Sequence, residues 1–131
     1  MMRPNTAYYL FSAYALLMLS DASLANSGEL TYQQVCASCH TPGVAGAPKL
    51  GDKAKWAALI KEGQVQLTAH GYVGVRGMPA KGGKPDLGVG DFAASVVYMA
   101  NQSGANWKNP DDAMLKKIDA EIQRRQAQLR K

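Results

Sequence analysis

Disulfides are the first thing this chain cannot rely on. Two cysteines in 131 residues exclude a disulfide-stapled scaffold and a four-cysteine zinc site. Charged residues are scarce at 19%, and the net charge of +5 is far below that of a packaging protein for nucleic acid. No basic run is interleaved with aromatics, so nucleic acid is not an expected partner. No period-2 alternation of apolar residues occurs, which argues against a sheet, and no internal repeat is visible. What the chain does have is 47% apolar residues, too many for wholesale disorder, and thirteen glycines.

The chain divides into three parts. Residues 1–25 read as a secretory signal: Arg3 gives the positive start, residues 8–19 form a twelve-residue apolar run, and Ser23 and Ala25 put small residues at a cleavage site. The competing reading is an uncleaved anchor, but the run stops at Asp21, short of a full span. Residues 26–104 form the expected domain and residues 105–131 a helical extension. The export signal implies a periplasmic location, with no stable membrane insertion after cleavage.

The domain reads as all-α. Asn26 and Glu29 resemble a capping box for a short helix running into Cys36. Residues 42–51 are a loop by composition. Asp52 is the expected cap of a helix ending at Gly63, with Trp56, Leu59 and Ile60 on one face. A short helical turn is expected around residues 65–70. Residues 71–90, with seven glycines and two prolines, are expected to form no regular element. Phe92, Val96 and Met99 recur at helical spacing, giving a helix over 89–101. Asn109, Pro110, Asp111 and Asp112 then read as a cap, a first-turn proline and two first-turn acids of a long terminal helix. So few large apolar side chains make a thin core, and a large apolar cofactor is a natural filler.

Cys36-Ala37-Ser38-Cys39-His40 is the C-x-x-C-H pattern of c-type haem attachment. Two thiols at this spacing reach the two vinyl groups of one porphyrin edge, and the adjacent imidazole meets the iron. A redox dithiol would follow a strand, and none precedes Cys36. A zinc site would need a second ligand pair, and only His70 remains. Met78, between Gly77 and Pro79 in the glycine-rich loop, is the candidate distal ligand of the iron. His70 is its rival, and an open sixth position is the third possibility. Met99 and Met114 fall on helix faces and read as packing. His-plus-Met ligation would saturate the iron and raise its potential, which suits electron transfer rather than catalysis.

The segment 36–40, then 43–53, Trp56, 77–83 and 97–99 closely resembles the class I c-type cytochromes of the cytochrome c-five family. The resemblance covers residues 27–103. It implies a cytochrome c fold, four to five short helices around one covalent haem c, with the terminal helix as an addition. By that similarity Cys36 and Cys39 form the thioethers, His40 is the proximal ligand and Met78 the distal one. Pro48 would offer its carbonyl to the His40 ring. Leu50 and Trp56 would line the haem, with the Trp56 indole N–H turned towards a propionate. Many relatives carry a second cysteine pair after the Lys-Gly-Gly segment, where this chain has Lys84-Pro85-Asp86-Leu87.

The implied function is a periplasmic monohaem carrier of one electron, not an enzyme on its own. Its donor would be a dehydrogenase or quinol-oxidising complex, its acceptor an oxidase or reductase. Lys49, Lys53, Lys81 and Lys84 could form a positive docking face for such partners. The alternative is a haem subunit of a periplasmic dehydrogenase, docked through the stripe Leu115, Ile118, Ile122 and Leu129 of the terminal helix. The bland reading of that stripe is packing on its own domain.

Overall fold

Five α-helices and a set of tight turns make up residues 27–131, the part of the chain described by the computed structural model. The expected leader and Asn26 lie outside the described residues. Among the described residues there is no strand, only an isolated antiparallel bridge between Val75 and Met78. No described helix is long and apolar enough to cross a membrane.

Helical residues 27–31 run through a π-helical turn, Tyr32–Cys36, into α1, Ala37–His40. The sequence pattern predicts the helix but not this wider turn, whose last residue is the first cysteine of the motif. The segment crosses the later helix over Val89–Gln102 at Gly28. A Cβ there would stand 2.5 Å from the Ala94 carbonyl oxygen, so only glycine permits the crossing.

Helix α2, Lys53–Glu62, begins where expected: Asp52 Oδ1 accepts the Lys55 N–H at 3.1 Å. Gly63 ends it in a positive-φ conformation. Helix α3, Gln64–Val73, is a full ten residues and corrects two expectations. It is longer than a turn, and Gly71, Tyr72 and Val73 belong to it. A mid-helix glycine costs about 1 kcal/mol in propensity. Packing outweighs that here, because Phe92 occupies the space of a side chain: a Gly71 Cβ would stand 2.9 Å from its Cζ.

Helix α4, Val89–Gln102, is the central element, burying Phe92, Ala93, Ala94, Ser95, Val96, Val97, Met99 and Ala100. Helix α5, Asp112–Leu129, is the terminal extension. Its cap is Asp111, whose Oδ1 accepts the Met114 N–H at 2.8 Å, and not Asn109. The helix therefore starts two residues later than the Asn-Pro signal suggests.

The extension folds back. Ile118 and Ile122 are buried with Ala69 of α3 and Ala93 of α4, and Val65, Tyr72, Met114 and Leu115 pack around them. The connection is tied as well. Asn101 and Trp107 exchange two hydrogen bonds of 2.8 Å, and Gln64 Nε2 donates to the Lys108 carbonyl at 2.9 Å. Arg125 reaches across to Gln66 at 3.0 Å. The apolar stripe that would dock another subunit is thus used inside the chain. Its last member, Leu129, is 74% exposed and isolated.

A candidate cofactor pocket

Between α1, α3, α4 and the loops that join them lies an apolar cleft of about 240 Å³. In a closely packed helical domain a cleft of this size is a seat rather than a packing fault. Val35, Trp56, Leu59, Leu67, Phe92, Val96 and Met99 give its walls their apolar character. Cys36, Cys39, His40, Pro48 and Met78 all line it, so the structure brings the residues of the sequence motifs to one place.

The first wall is built from short-range contacts. The His40 Nδ1 lies 2.8 Å from the Pro48 carbonyl oxygen. A carbonyl can only accept, so Nδ1 carries the proton and Nε2 keeps its lone pair for a metal. The Leu50 N–H donates to the His40 carbonyl at 2.9 Å, and the Trp56 indole N–H donates to the Lys49 carbonyl at 2.9 Å. Three successive residues, Pro48, Lys49 and Leu50, are thereby pinned to the histidine and to α2. Trp56 spends its only donor on this loop, which corrects the expectation that it points at a propionate. Leu50 packs with Tyr32, Cys36 and Trp56 behind the cleft and is not part of its lining.

The two thiols differ. Cys36 is buried and Cys39 exposed. Burial pushes the Cys36 thiol above its ordinary pKa, partly opposed by its hydrogen bond of 3.9 Å to Ser95 Oγ. Ser95 is itself wholly buried and donates to the Phe92 carbonyl at 2.7 Å. No sequence signal marks Ser95, since a serine on a helix face carries no chemistry until its neighbour across the core is known.

Met78 enters from the opposite end of the sequence logic, a loop without a helix. Its N–H donates to the Val75 carbonyl at 2.9 Å and its carbonyl accepts the Val75 N–H at 3.1 Å, closing a tight turn. The side chain packs against Leu87, Phe92 and Val96. His70 also lines the cleft, but its Nδ1 is 2.7 Å from Glu62 Oε2. Among the described residues no group of three or more metal-binding side chains forms a conventional metal cluster. Two thiols, an imidazole whose Nδ1 is committed to a carbonyl so that Nε2 is its remaining ring nitrogen, and a thioether on one apolar cleft fit a covalently bound haem.

The charged surface differs from the sequence expectation. Lys49 and Lys53 are exposed. Lys84 pairs with Asp86 at 3.6 Å, and Lys81 turns inward to the Pro85 carbonyl at 2.8 Å. Arg76, exposed and on the cleft rim, is a cation the docking-face expectation left out.

Known proteins carry the same architecture. The family model for cytochrome C oxidase, cbb3-type, subunit III matches residues 23–99, which stops within α4 and leaves α5 outside. Cytochrome c-555 of Chlorobaculum thiosulfatiphilum is 47% identical over 83 residues, 60% of this chain and 96% of the relative. Cytochrome c5 of Azotobacter vinelandii is 35% identical over 78 residues, 58% of this chain and 94% of the relative. A cytochrome c solved in an electron-transfer complex with nitrite reductase is 39% identical, with a TM-score of 0.57, covering 59% of this chain and 94% of that one.

Proposed function

The chain belongs to the c-type cytochromes and binds one covalent haem c, and we propose that it is a periplasmic one-electron carrier with His40 and Met78 as axial ligands. The haem iron supplies a reversible one-electron couple when bound. The chain does the rest. Cys36 and Cys39 fix one porphyrin edge, Cys36 deep in the core and Cys39 at the surface. His40 presents Nε2, held in orientation by the bond from Nδ1 to Pro48. Met78 offers a soft sulfur that favours the reduced ion. His40 and Met78 would together hold the iron and leave it no site for a substrate, which supports a carrier rather than an enzyme.

The observation that carries this reading is the Nδ1 hydrogen bond of His40 on the cleft that Met78 also lines. The apolar walls exclude water, which keeps solvent reorganisation small as charge changes. The exposed mouth, near Cys39, Val44 and Arg76, is where a redox partner protein would approach. Partners of this kind are supported by the relative found in complex with nitrite reductase. Arg76 on that mouth, with the exposed Lys49 and Lys53 adding positive charge, would speed encounter with an acidic partner. The signal reading of residues 1–25 supports the periplasmic assignment, and 26–104 is the proposed haem domain.

Optical spectra of the ferric and ferrous protein test the ligands. The weak red-edge band of a sulfur-to-ferric-iron bond is expected in the native protein, with no carbon monoxide binding to the ferrous form. Met78→Ala should lose the band and bind carbon monoxide. An unchanged spectrum and potential in Met78→Ala would reject Met78 as ligand.

A further inference from the structure

The loop that bears Met78 leaves α3 after Val73 and meets no α-helix until Val89. Its own backbone bonds are short in reach: Gly82 N–H to Pro79, Lys84 N–H to Lys81 and Leu87 N–H to Lys84, each a turn of three residues. None of these fastens the loop to a helix. Two side chains do.

Tyr72, in the last turn of α3, donates its hydroxyl to the Leu87 carbonyl at 3.2 Å, which joins the start of the loop to its end. The Lys81 ammonium stands 5.0 Å from the centroid of the Tyr72 ring and donates to the Pro85 carbonyl at 2.8 Å, which pins the middle. The same Tyr72 ring meets Phe92 edge-on, with centroids 5.4 Å apart. Phe92 packs in one cluster with Met78, and beside Tyr72 a Cβ on Gly71 would touch both Phe92 and the Met78 methyl. The contacts therefore run without a gap from Lys81 to the sulfur-bearing side chain.

Lys81 also holds a backbone conformation that lysine disfavours, with φ +55, although glycines follow at 82 and 83. That strain persists where the surroundings over-determine it. Its neighbour Lys84 shows the contrast, since its exposed pairing with Asp86 at 3.6 Å contributes little.

We propose that Lys81 and Tyr72 are positioning residues for Met78: together they clasp the loop closed and set how readily the thioether yields its place to an external ligand. This rests on the reading of Met78 as the distal ligand. A cation–π contact and a hydrogen bond to a carbonyl are together worth about a tenfold change in loop opening.

The test is imidazole titration of the full-length ferric holoprotein. Lys81→Met should bind imidazole about tenfold more tightly than the native protein, and Tyr72→Phe several-fold more tightly. Lys81→Arg, which keeps the cation over the ring, should restore most of the native resistance. Asp52→Ala, which removes the cap of α2 away from this loop, serves as a destabilised control and should lower the melting temperature without changing imidazole affinity. Unchanged affinity in both Lys81→Met and Tyr72→Phe, or an equal shift in Asp52→Ala, would overturn the clasp. Absence of the sulfur-to-iron band from the native ferric protein would overturn the ligand reading and the clasp together.

Discussion

The two walls of the haem cleft are built on different principles. The His40 wall is mostly local: Cys36, Cys39, His40, Pro48, Lys49 and Leu50 lie within fifteen residues, and apart from the Cys36–Ser95 bond their hydrogen bonds join neighbours in sequence. The Met78 wall is assembled at a distance, from a loop, the end of α3 and the start of α4. A covalent tether and a short chain segment make the first wall nearly all-or-none. The second wall has no covalent tie within the chain and depends on side-chain contacts that can be weakened one at a time.

That contrast is sharpest in the two proposed ligands. His40→Ala should nearly abolish stable holoprotein, read as haem-stained protein in a denaturing gel and native spectrum. Met78→Ala should leave the stained yield largely intact and change only the spectrum. Equal yields from the two variants would erase the difference between the walls. The next effect belongs to the distal side. Gly71→Ala places a Cβ 2.9 Å from Phe92 Cζ and 3.5 Å from the Met78 methyl. Denaturant melts should show a loss of about 1–3 kcal/mol, with weakening of the sulfur-to-iron band.

A smaller loss on the proximal side should leave the iron untouched. Asp52→Ala removes the cap bond to Lys55, a cost of about 1 kcal/mol, and the band should not change. The smallest effect lies outside both walls. Glu121 of α5 accepts from Arg124 Nε at 2.8 Å, and Arg125 Nε lies 2.8 Å away. The Arg124 bond holds its carboxyl below the ordinary glutamate range. Because the folded value is depressed, the pair stabilises the fold above the unfolded glutamate pKa and loses that contribution as pH falls through the folded one. A melting temperature followed down through the acid range should fall less steeply in Glu121→Gln than in the native protein.

Sequence reading succeeds where the signal is local. The C-x-x-C-H run, the Asp52 cap, the Gly63 stop and the α4 stripe are each contained in a few residues, and each appears in the structure. It falls short where a residue takes its meaning from a remote partner. Gly71 reads as a helix breaker until Phe92 is seen lying against it. The Trp56 indole N–H reads as a propionate donor, while it is claimed by the Lys49 carbonyl, seven residues back. Lys81 reads as a surface charge, and its ring and carbonyl partners are invisible without the turn that brings them round. The α5 stripe was legible, but which surface it covers depended on the placement of α3.

The unequal depth of the two cysteines has a consequence for access. Cys36 is 6% exposed and burial pushes its thiol pKa up, whereas Cys39 stands open to solvent. Thioether formation needs both sulfurs within reach of a vinyl group and of whatever delivers the porphyrin. In the closed fold Cys36 meets a vinyl group only from within the cleft it lines, whereas Cys39 is also open to solvent, so the two attachment points stand in unequal reach of the surface.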